Sequence, residues 1–290
     1  MSPQSSPDTS VSVIIPFFRD TELLRRALAS VRGQSITEPV EVIIIDDGSG
    51  EHLTPVMEEF PDTRLVSQDN SGPGPARNNG IAIARGEFIA FLDSDDYWHE
   101  DKLQIQVQAM RNAGASWSQH SYWVVDTATG RPTLQNTSHL SGDVRKRVLT
   151  SFRVQTSAIM IRHSTIRDSS LRFSDDRVGE DGYLYALLAE EYPLLAIPDA
   201  LSFFTWHGSN AGGNAAIQLW SRARMWQRHA HLIRQNASSA VLLSYRWCAL
   251  MARVLSYRAT PPQPTKTQQA LAIVLYFPAY LVLRVEAGRS

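Results

Sequence analysis

Short apolar runs alternate with helix-spaced segments along the first hundred residues, and the pattern predicts β-α-β units. Val11-Ser12-Val13-Ile14-Ile15, Val40-Glu41-Val42-Ile43-Ile44-Ile45 and Gly86-Glu87-Phe88-Ile89-Ala90-Phe91-Leu92 suit buried strands covered on both faces. Between the first two, Leu23, Leu24, Ala27, Leu28 and Val31 recur at helical spacing. A right-handed crossover leaves such strands parallel, with their carboxyl ends on one side. The first strand is expected to stop at Pro16, which cannot donate to a ladder. Gly72-Pro73-Gly74-Pro75 reads as a loop releasing into a helix that Gly86 closes. His99 to Asn112 carries Leu103, Val107 and Met110 as a core-facing stripe. Trp117 to Val125, Thr156 to Ile161 and Leu201 to Thr205 read as strands, and Tyr183 to Tyr192 as a helix. The class is α/β.

Two of the strands end in carboxylates. Asp46-Asp47-Gly48-Ser49 follows one, and Asp93-Ser94-Asp95-Asp96 follows another. Ligands of open α/β sheets bind just beyond such strand ends. Carboxylates crowded together repel one another, and a divalent ion such as Mg²⁺ or Mn²⁺ shared with a diphosphate offsets that. The same acidic stretch also reads as a turn capping the next helix. Arg77 and Asn78, placed in the first helical turn after Pro75, either face phosphates or sit solvated. Gly179-Glu180-Asp181-Gly182 precedes a helix, so Asp181 reads as a helix cap or as a carboxylate free for chemistry. His207 follows a strand at the turn Gly208-Ser209-Asn210 and is open to a metal role or a plain surface one. Alternation turns Phe17 and Phe18 to opposite faces, with Phe17 the core member.

These residues together resemble the family 2 glycosyltransferases, inverting enzymes of GT-A architecture. The resemblance is carried by Pro16-Phe17-Phe18-Arg19, the helix ending at Gln34, Ile45-Asp46-Asp47-Gly48-Ser49, Ala76-Arg77-Asn78-Asn79-Gly80 and Phe91-Leu92-Asp93-Ser94-Asp95-Asp96. A second block, Gly179-Glu180-Asp181-Gly182 and Trp206-His207, resembles the acceptor half of that family. It implies a mixed, mostly parallel sheet flanked by helices and a nucleoside diphosphate sugar as donor, with UDP the expected nucleotide. It also implies roles. Asp47 would read the base, with Asp46 supporting its loop and Pro16 and Phe18 walling the pocket. Arg77 and Ser94 would lie along the donor diphosphate, and Asp93 would assist Asp95 at the metal. Asp95 and His207 would hold Mn²⁺ or Mg²⁺, Asp181 would be the general base, and Glu180 would flank the acceptor. The acceptor is expected to be a glycan or lipid-linked hydroxyl in cell-surface polysaccharide synthesis. A non-catalytic binder of nucleotide sugar or glycan is the rival reading, which retention of both Asp95 and Asp181 disfavours. A dinucleotide oxidoreductase is disfavoured by the absence of Gly-x-Gly-x-x-Gly after the first strand.

Composition narrows the picture little. The chain has 290 residues, 43% hydrophobic and 20% charged, enough for a full core. One cysteine, Cys248, leaves no disulfide framework or zinc site and fits a reducing compartment. The first ten residues are polar and expected to be disordered, without a signal-like apolar region. A cytoplasmic protein, peripheral on the inner face of the cell membrane, is the expectation; no nucleic-acid partner is. Charge is uneven. Arg222 to Ser290 holds ten Lys or Arg and one acid, a formal +9, and the remainder is −10. Four divisions follow: 1–10, a donor half over 11–115, an acceptor half over 116–215, and a basic helical region over 216–290. In the last, Gln218 to His231 and Ala240 to Tyr257 read as helices, and 259–265 as a proline-rich linker. The apolar segment 270–283 is too short to span a bilayer, and Pro278 should kink it. A core helix, an oligomer contact and an element docked on anionic lipid are all open for it.

Overall fold

The structure is a computed structural model, and it describes residues 9–150, 155–167, 170–176, 179–207, 215–255 and 266–289. The expected linker at 259–265, the turn at 208–210 and most of the N-terminal decapeptide lie outside these residues. In chain order the elements are β1 (Val11–Phe17), α1 (Thr21–Arg32), β2 (Val40–Asp46), α2 (Thr54–Glu59), β3 (Thr63–Ser67), α3 (Pro73–Ile83), β4 (Phe88–Phe91), β5 (Tyr97–Trp98) and α4 (Lys102–Ala113). There follow β6 (Trp117–Asp126), β7 (Pro132–Gln135), α5 (Arg147–Thr150), β8 (Ile159–Arg162), α6 (His163–Arg167), α7 (Glu180–Glu191), β9 (Leu195–Trp206), α8 (Ala215–Asn236), α9 (Ser239–Val254) and α10 (Lys266–Arg289).

Two compact units emerge, cutting across the sequence-based divisions. The first gathers the described residues up to Gly142, those from 155 to Asp175, and Tyr192–His207. The second takes 143–150, the described residues from Asp176 to Glu191, and those after His207. Helix α7, with Glu180 and Asp181, therefore belongs with the C-terminal helices.

The first unit is built on one mixed sheet of order β3-β2-β1-β4-β8-β6-β9-β5, with β7 on β6. Strands β3, β2, β1 and β4 run parallel, and β8 is antiparallel to both β4 and β6. Alternation along β1 sends Val11, Val13, Ile15 and Phe17 to one face, where α1, α2 and α4 pack. Leu24, Ala27 and Leu28 of α1 are buried there, each large side chain contributing about 1.5–3 kcal/mol by leaving water. On the other face α3 covers Ile43 and Ile45 with Ala76. Gly80 permits that approach, because a Cβ there would lie 2.5 Å from Ile14 Cγ2. Asp20 starts α1 by accepting the Leu23 N–H at 3.1 Å, and the chain leaves the helix at Gly33.

Three local expectations are corrected. Strand β1 does not stop at Pro16 but runs through it to Phe17. The Ile14 carbonyl accepts from Leu92, so residue 16 also points its nitrogen toward β4, beyond the last β1–β4 pair, and no ladder bond is lost. Thr156–Ala158 form a 3₁₀ turn, and only Ile159–Arg162 pair as a strand. Helix α10 is 24 residues long rather than 14, and it contains Pro278.

Candidate active site

Register brings the two acidic strand ends to one edge of the sheet. Phe17 on β1 pairs with Asp46 on β2, and Ile14 pairs with Phe91 on β4. Asp93, two residues past Phe91, therefore leaves the sheet level with Pro16. Phe17 is buried while Phe18 is 39% exposed, with the Arg19 guanidinium 4.7 Å from its ring centre. Pro16 is half-buried and Ser94 lies half-buried in the turn after β4.

At the end of β2 the two aspartates do different work. Asp46 accepts the Ser49 N–H at 2.9 Å and closes its own turn. Asp47 is buried, and its carboxylate is surrounded by neutral donors: Gln68 Nε2 and the Ser71 N–H reach Oδ1 at 2.8 Å, and the Gly72 N–H reaches Oδ2 at 2.8 Å. Asn70 Nδ2 donates to the Asp47 carbonyl at 3.0 Å. The loop feeding α3 is thus folded onto this one carboxylate, which takes the Ser71 and Gly72 N–H groups just ahead of the helix. Oδ2 carries a single one of these bonds, leaving room for one further donor.

That arrangement changes the reading of Arg77. Helix α3 begins at Pro73, so Arg77 sits in its second turn, not its first. The side chain is 4% exposed. Its Nη2 meets Asp93 Oδ1 at 2.6 Å, and its guanidinium lies 5.2 Å from the Phe173 ring centre. A buried guanidinium needs an anion, and Asp93 supplies one. Asn78 is likewise engaged, exchanging bonds with the backbone of Phe173 at 2.9 and 3.0 Å.

The end of β4 concentrates charge. Asp95 Oδ2 stands 3.0 Å from His207 Nε2 across 112 positions of sequence. Burial and then the adjacent Asp93 raise the Asp95 pKa, opposed by His207. Asp96 is fully buried and accepts from Gln155 Nε2, Ser157 Oγ at 2.6 Å and the Thr205 N–H at 2.9 Å. Burial, with Asp95 and Asp93 alongside, pushes it well above the usual carboxylate range. The Ser157 Oγ also takes the Asp93 N–H at 3.0 Å, so one hydroxyl links the Asp96 carboxylate to the Asp93 backbone. Arg26 was not singled out in the sequence, yet its Nη2 holds the Asp95 carbonyl at 2.5 Å and Thr205 Oγ1 at 2.8 Å. Its guanidinium lies 4.6 Å from the Tyr97 ring centre, and Tyr97 stacks on Phe203 at 4.6 Å. Nothing in local sequence signals these partners, which lie up to 179 positions away.

The Asp95–His207 pair fits a divalent cation. Two cis ligands, each about 2.1 Å from an octahedral Mg²⁺, stand about 3.0 Å apart. Among the described residues no group of three His, Cys, Asp or Glu side chains is placed to hold a metal. A cation here would depend on ligands from outside the protein, as Mg²⁺ sites completed by substrate phosphates do.

In the second unit, Glu180 and Asp181 form the first turn of α7. Asp181 lies inside the helix, not at its cap, and its Oδ1 accepts the Gly182 N–H at 2.7 Å. It is half-buried, whereas Glu180 is buried. Gly179 enters the helix at φ 75°, and a Cβ there would fall 2.0 Å from Ser221 Oγ. Only glycine meets both conditions comfortably.

Comparison with known proteins agrees with this geometry. The family model described as glycosyl transferase family 2 matches residues 12–167. A glycosyltransferase of Rickettsia felis, itself uncharacterised, is 32% identical over 205 residues, 70% of this chain and 34% of that protein. The chain thus spans about a third of the length of that relative. WfaP of Escherichia coli, a UDP-Glc:α-D-GlcNAc-diphosphoundecaprenol β-1,3-glucosyltransferase, is 32% identical over 117 residues, 39% of this chain and 46% of that one. Among solved structures, S. aureus TarS 1-349 in complex with UDP-GlcNAc superposes with a TM-score of 0.62 at 18% identity, covering 94% of this chain and 82% of that chain. The likeness to TarS is one of fold, the GT-A type. With the family model matched over more than half of its length, the chain belongs to glycosyl transferase family 2.

Proposed function

We propose that the protein transfers a sugar, with inversion, from a UDP-sugar to a hydroxyl of a glycan or lipid-linked acceptor in surface polysaccharide synthesis. The observation that carries the reading is the Asp95–His207 pair, 3.0 Å apart at the end of β4, two strands over from the Asp46–Asp47 turn at the end of β2, with β1 between them. Family membership supports the reaction class. The UDP-glucose named for WfaP and the UDP-GlcNAc bound by TarS support the donor, and the lipid diphosphate in the name of WfaP supports the acceptor.

In this reading the Asp47 Oδ2 accepts the base N–H, with its carboxylate held rigid by Gln68, Ser71 and Gly72. Phe18 and Pro16 border the base. Arg77 orients Asp93 and limits the repulsion between Asp93 and Asp95. Asp95 and His207 would hold Mn²⁺ or Mg²⁺, which when bound would supply Lewis-acid neutralisation of charge on the departing diphosphate. Ser94 borders that diphosphate. Asp181 takes the proton of the acceptor hydroxyl as its oxygen attacks the anomeric carbon from the face opposite the diphosphate. The new C–O bond forms as the bond to UDP breaks, and the electron pair leaves with UDP. Glu180 positions Asp181.

A general base contributes about 10²–10⁴-fold to turnover. Asp181→Asn should therefore lower transfer at least about 10²-fold while calorimetry shows UDP binding unchanged. Transfer at near-native rate would remove Asp181 from the chemistry, and a product with retained anomeric configuration would overturn the mechanism.

A further inference from the structure

The second unit carries a large exposed apolar face that the transfer reaction does not use. On α9, Leu243, Trp247, Leu250 and Val254 are all exposed, and their spacing of four, three and four places them on one stripe. On α10, Ala272, Ala279 and Leu283 turn inward. Its opposite side leaves Val274, Phe277, Leu281 and Val285 in solvent, with Val274 67% exposed. The two faces meet at Trp247, whose indole donates to the Leu275 carbonyl at 2.7 Å. An apolar area of this extent marks an interaction surface.

Its charge indicates what covers it. Arg246 and Arg253, each three positions after one stripe residue (Leu243, Leu250) and one before the next (Trp247, Val254), are exposed and run along one flank of the α9 stripe. Arg284 is exposed on α10 beside Tyr280. The one acid on either helix, Glu286, is only partly exposed and accepts from Ser238 Oγ at 2.8 Å. A two-fold contact between copies would bring the same arginines together with no free acid on these helices to meet them. Anionic lipid headgroups answer both the apolar stripe and its cationic flank, and Trp and Tyr suit that boundary. The raw charge of this region overstates its basic surface. Arg222 is half-buried with its guanidinium bound to the Leu149 and Thr150 carbonyls, and Arg224 and Arg228 pair with Asp176.

We infer that α9 and α10 form a monotopic docking face that lies in the surface of an anionic bilayer, held mainly by apolar insertion. By length and composition α10 is able to cross a membrane, with the window Gln269–Glu286 at mean hydropathy 1.4. Packing of Ala272, Ala279 and Leu283 against the neighbouring helices of the unit binds it lengthwise instead. This inference stands apart from the transfer reaction.

Flotation of the full chain with vesicles of phosphatidylcholine, with and without phosphatidylglycerol, is the test. Binding to the anionic vesicles should persist in large part at high salt, because screening removes only the arginine contribution. The double variant Phe277→Asp/Leu281→Asp should lose at least about tenfold in partitioning at high salt. Arg246→Gln/Arg253→Gln should lose only the salt-sensitive fraction. Leu134→Asp, an exposed site on β7, should change neither, and circular dichroism melts verify folding of each variant. Absence of vesicle binding at low salt would overturn the inference. So would a concentration-dependent dimer that Phe277→Asp/Leu281→Asp dissociates without any effect on vesicles.

Discussion

The ends of β2 and β4 hold acidic clusters on one sheet edge, yet they solve the problem of buried negative charge in opposite ways. Asp47 is enclosed by a loop whose N–H groups and amide converge on it, all of them neutral donors from within 25 residues. Nothing further is required to stabilise that charge. Asp93, Asp95 and Asp96 crowd together instead, with Arg77 on the Asp93 carboxylate, His207 on that of Asp95 and Arg26 on the Asp95 carbonyl. Burial first, and then like-charged neighbours, raise Asp95 and Asp96. A carboxylate satisfied by backbone builds a rigid recognition loop. A carboxylate left under like-charge repulsion is one that gains from a cation. In the proposed function the first kind of carboxylate reads the base and the second holds the metal, although both sequences read simply as strand-end Asp-Asp.

The largest effect expected from breaking this contrast is on turnover. Asp95→Asn should lower transfer by on the order of 10²–10³-fold, since Lewis-acid stabilisation of a leaving group is worth several kcal/mol. Thermal melts without metal should show no loss of stability, because the substitution relieves repulsion. Asp47→Asn should do the reverse. Replacing one oxygen by an amide sets a donor against a donor, at a cost of about 1–3 kcal/mol. Denaturant unfolding should report that loss, and metal should not restore it.

The smallest effect concerns pH. A carboxyl raised in the folded state binds its proton more tightly there than in the unfolded chain. Stability is then greatest at low pH and declines as pH rises from about 4, the unfolded value, through the raised folded value. Asp96→Asn lacks this term, so the variant should gain on the parent as pH increases. Melts of the two proteins between pH 4.5 and 8 that run parallel would contradict the like-charge account of this cluster.

Much of this was legible from sequence, for identifiable reasons. Strands β1, β2 and β4 and helix α1 are short patterns whose periodicity is set locally, and all appeared where expected. The carboxylate positions were legible because a strand's end fixes which edge they reach. The partners were not. Gln68 and Gly72 lie 21 and 25 residues beyond Asp47, Arg26 reaches 69 and 179 positions to its acceptors, and His207 reaches 112. Arg77 was expected either to face phosphate from the first helical turn or to sit solvated, but it lies in the second turn, buried and paired with Asp93. The basic C-terminal region misled for a related reason: a count of arginines cannot tell one bound to backbone carbonyls, such as Arg222, from an exposed one such as Arg253.

The central claim is that the β4 cluster, not the β2 cluster, takes the cation that secures the donor diphosphate. Calorimetric titration of UDP into the full chain, with Mn²⁺ and then with EDTA, tests it most directly. The account predicts that Mn²⁺ tightens UDP binding at least about tenfold in the parent and in Asp47→Asn, and not at all in Asp95→Asn. Equal affinity in Mn²⁺ and in EDTA, or a metal response that survives in Asp95→Asn, would contradict it.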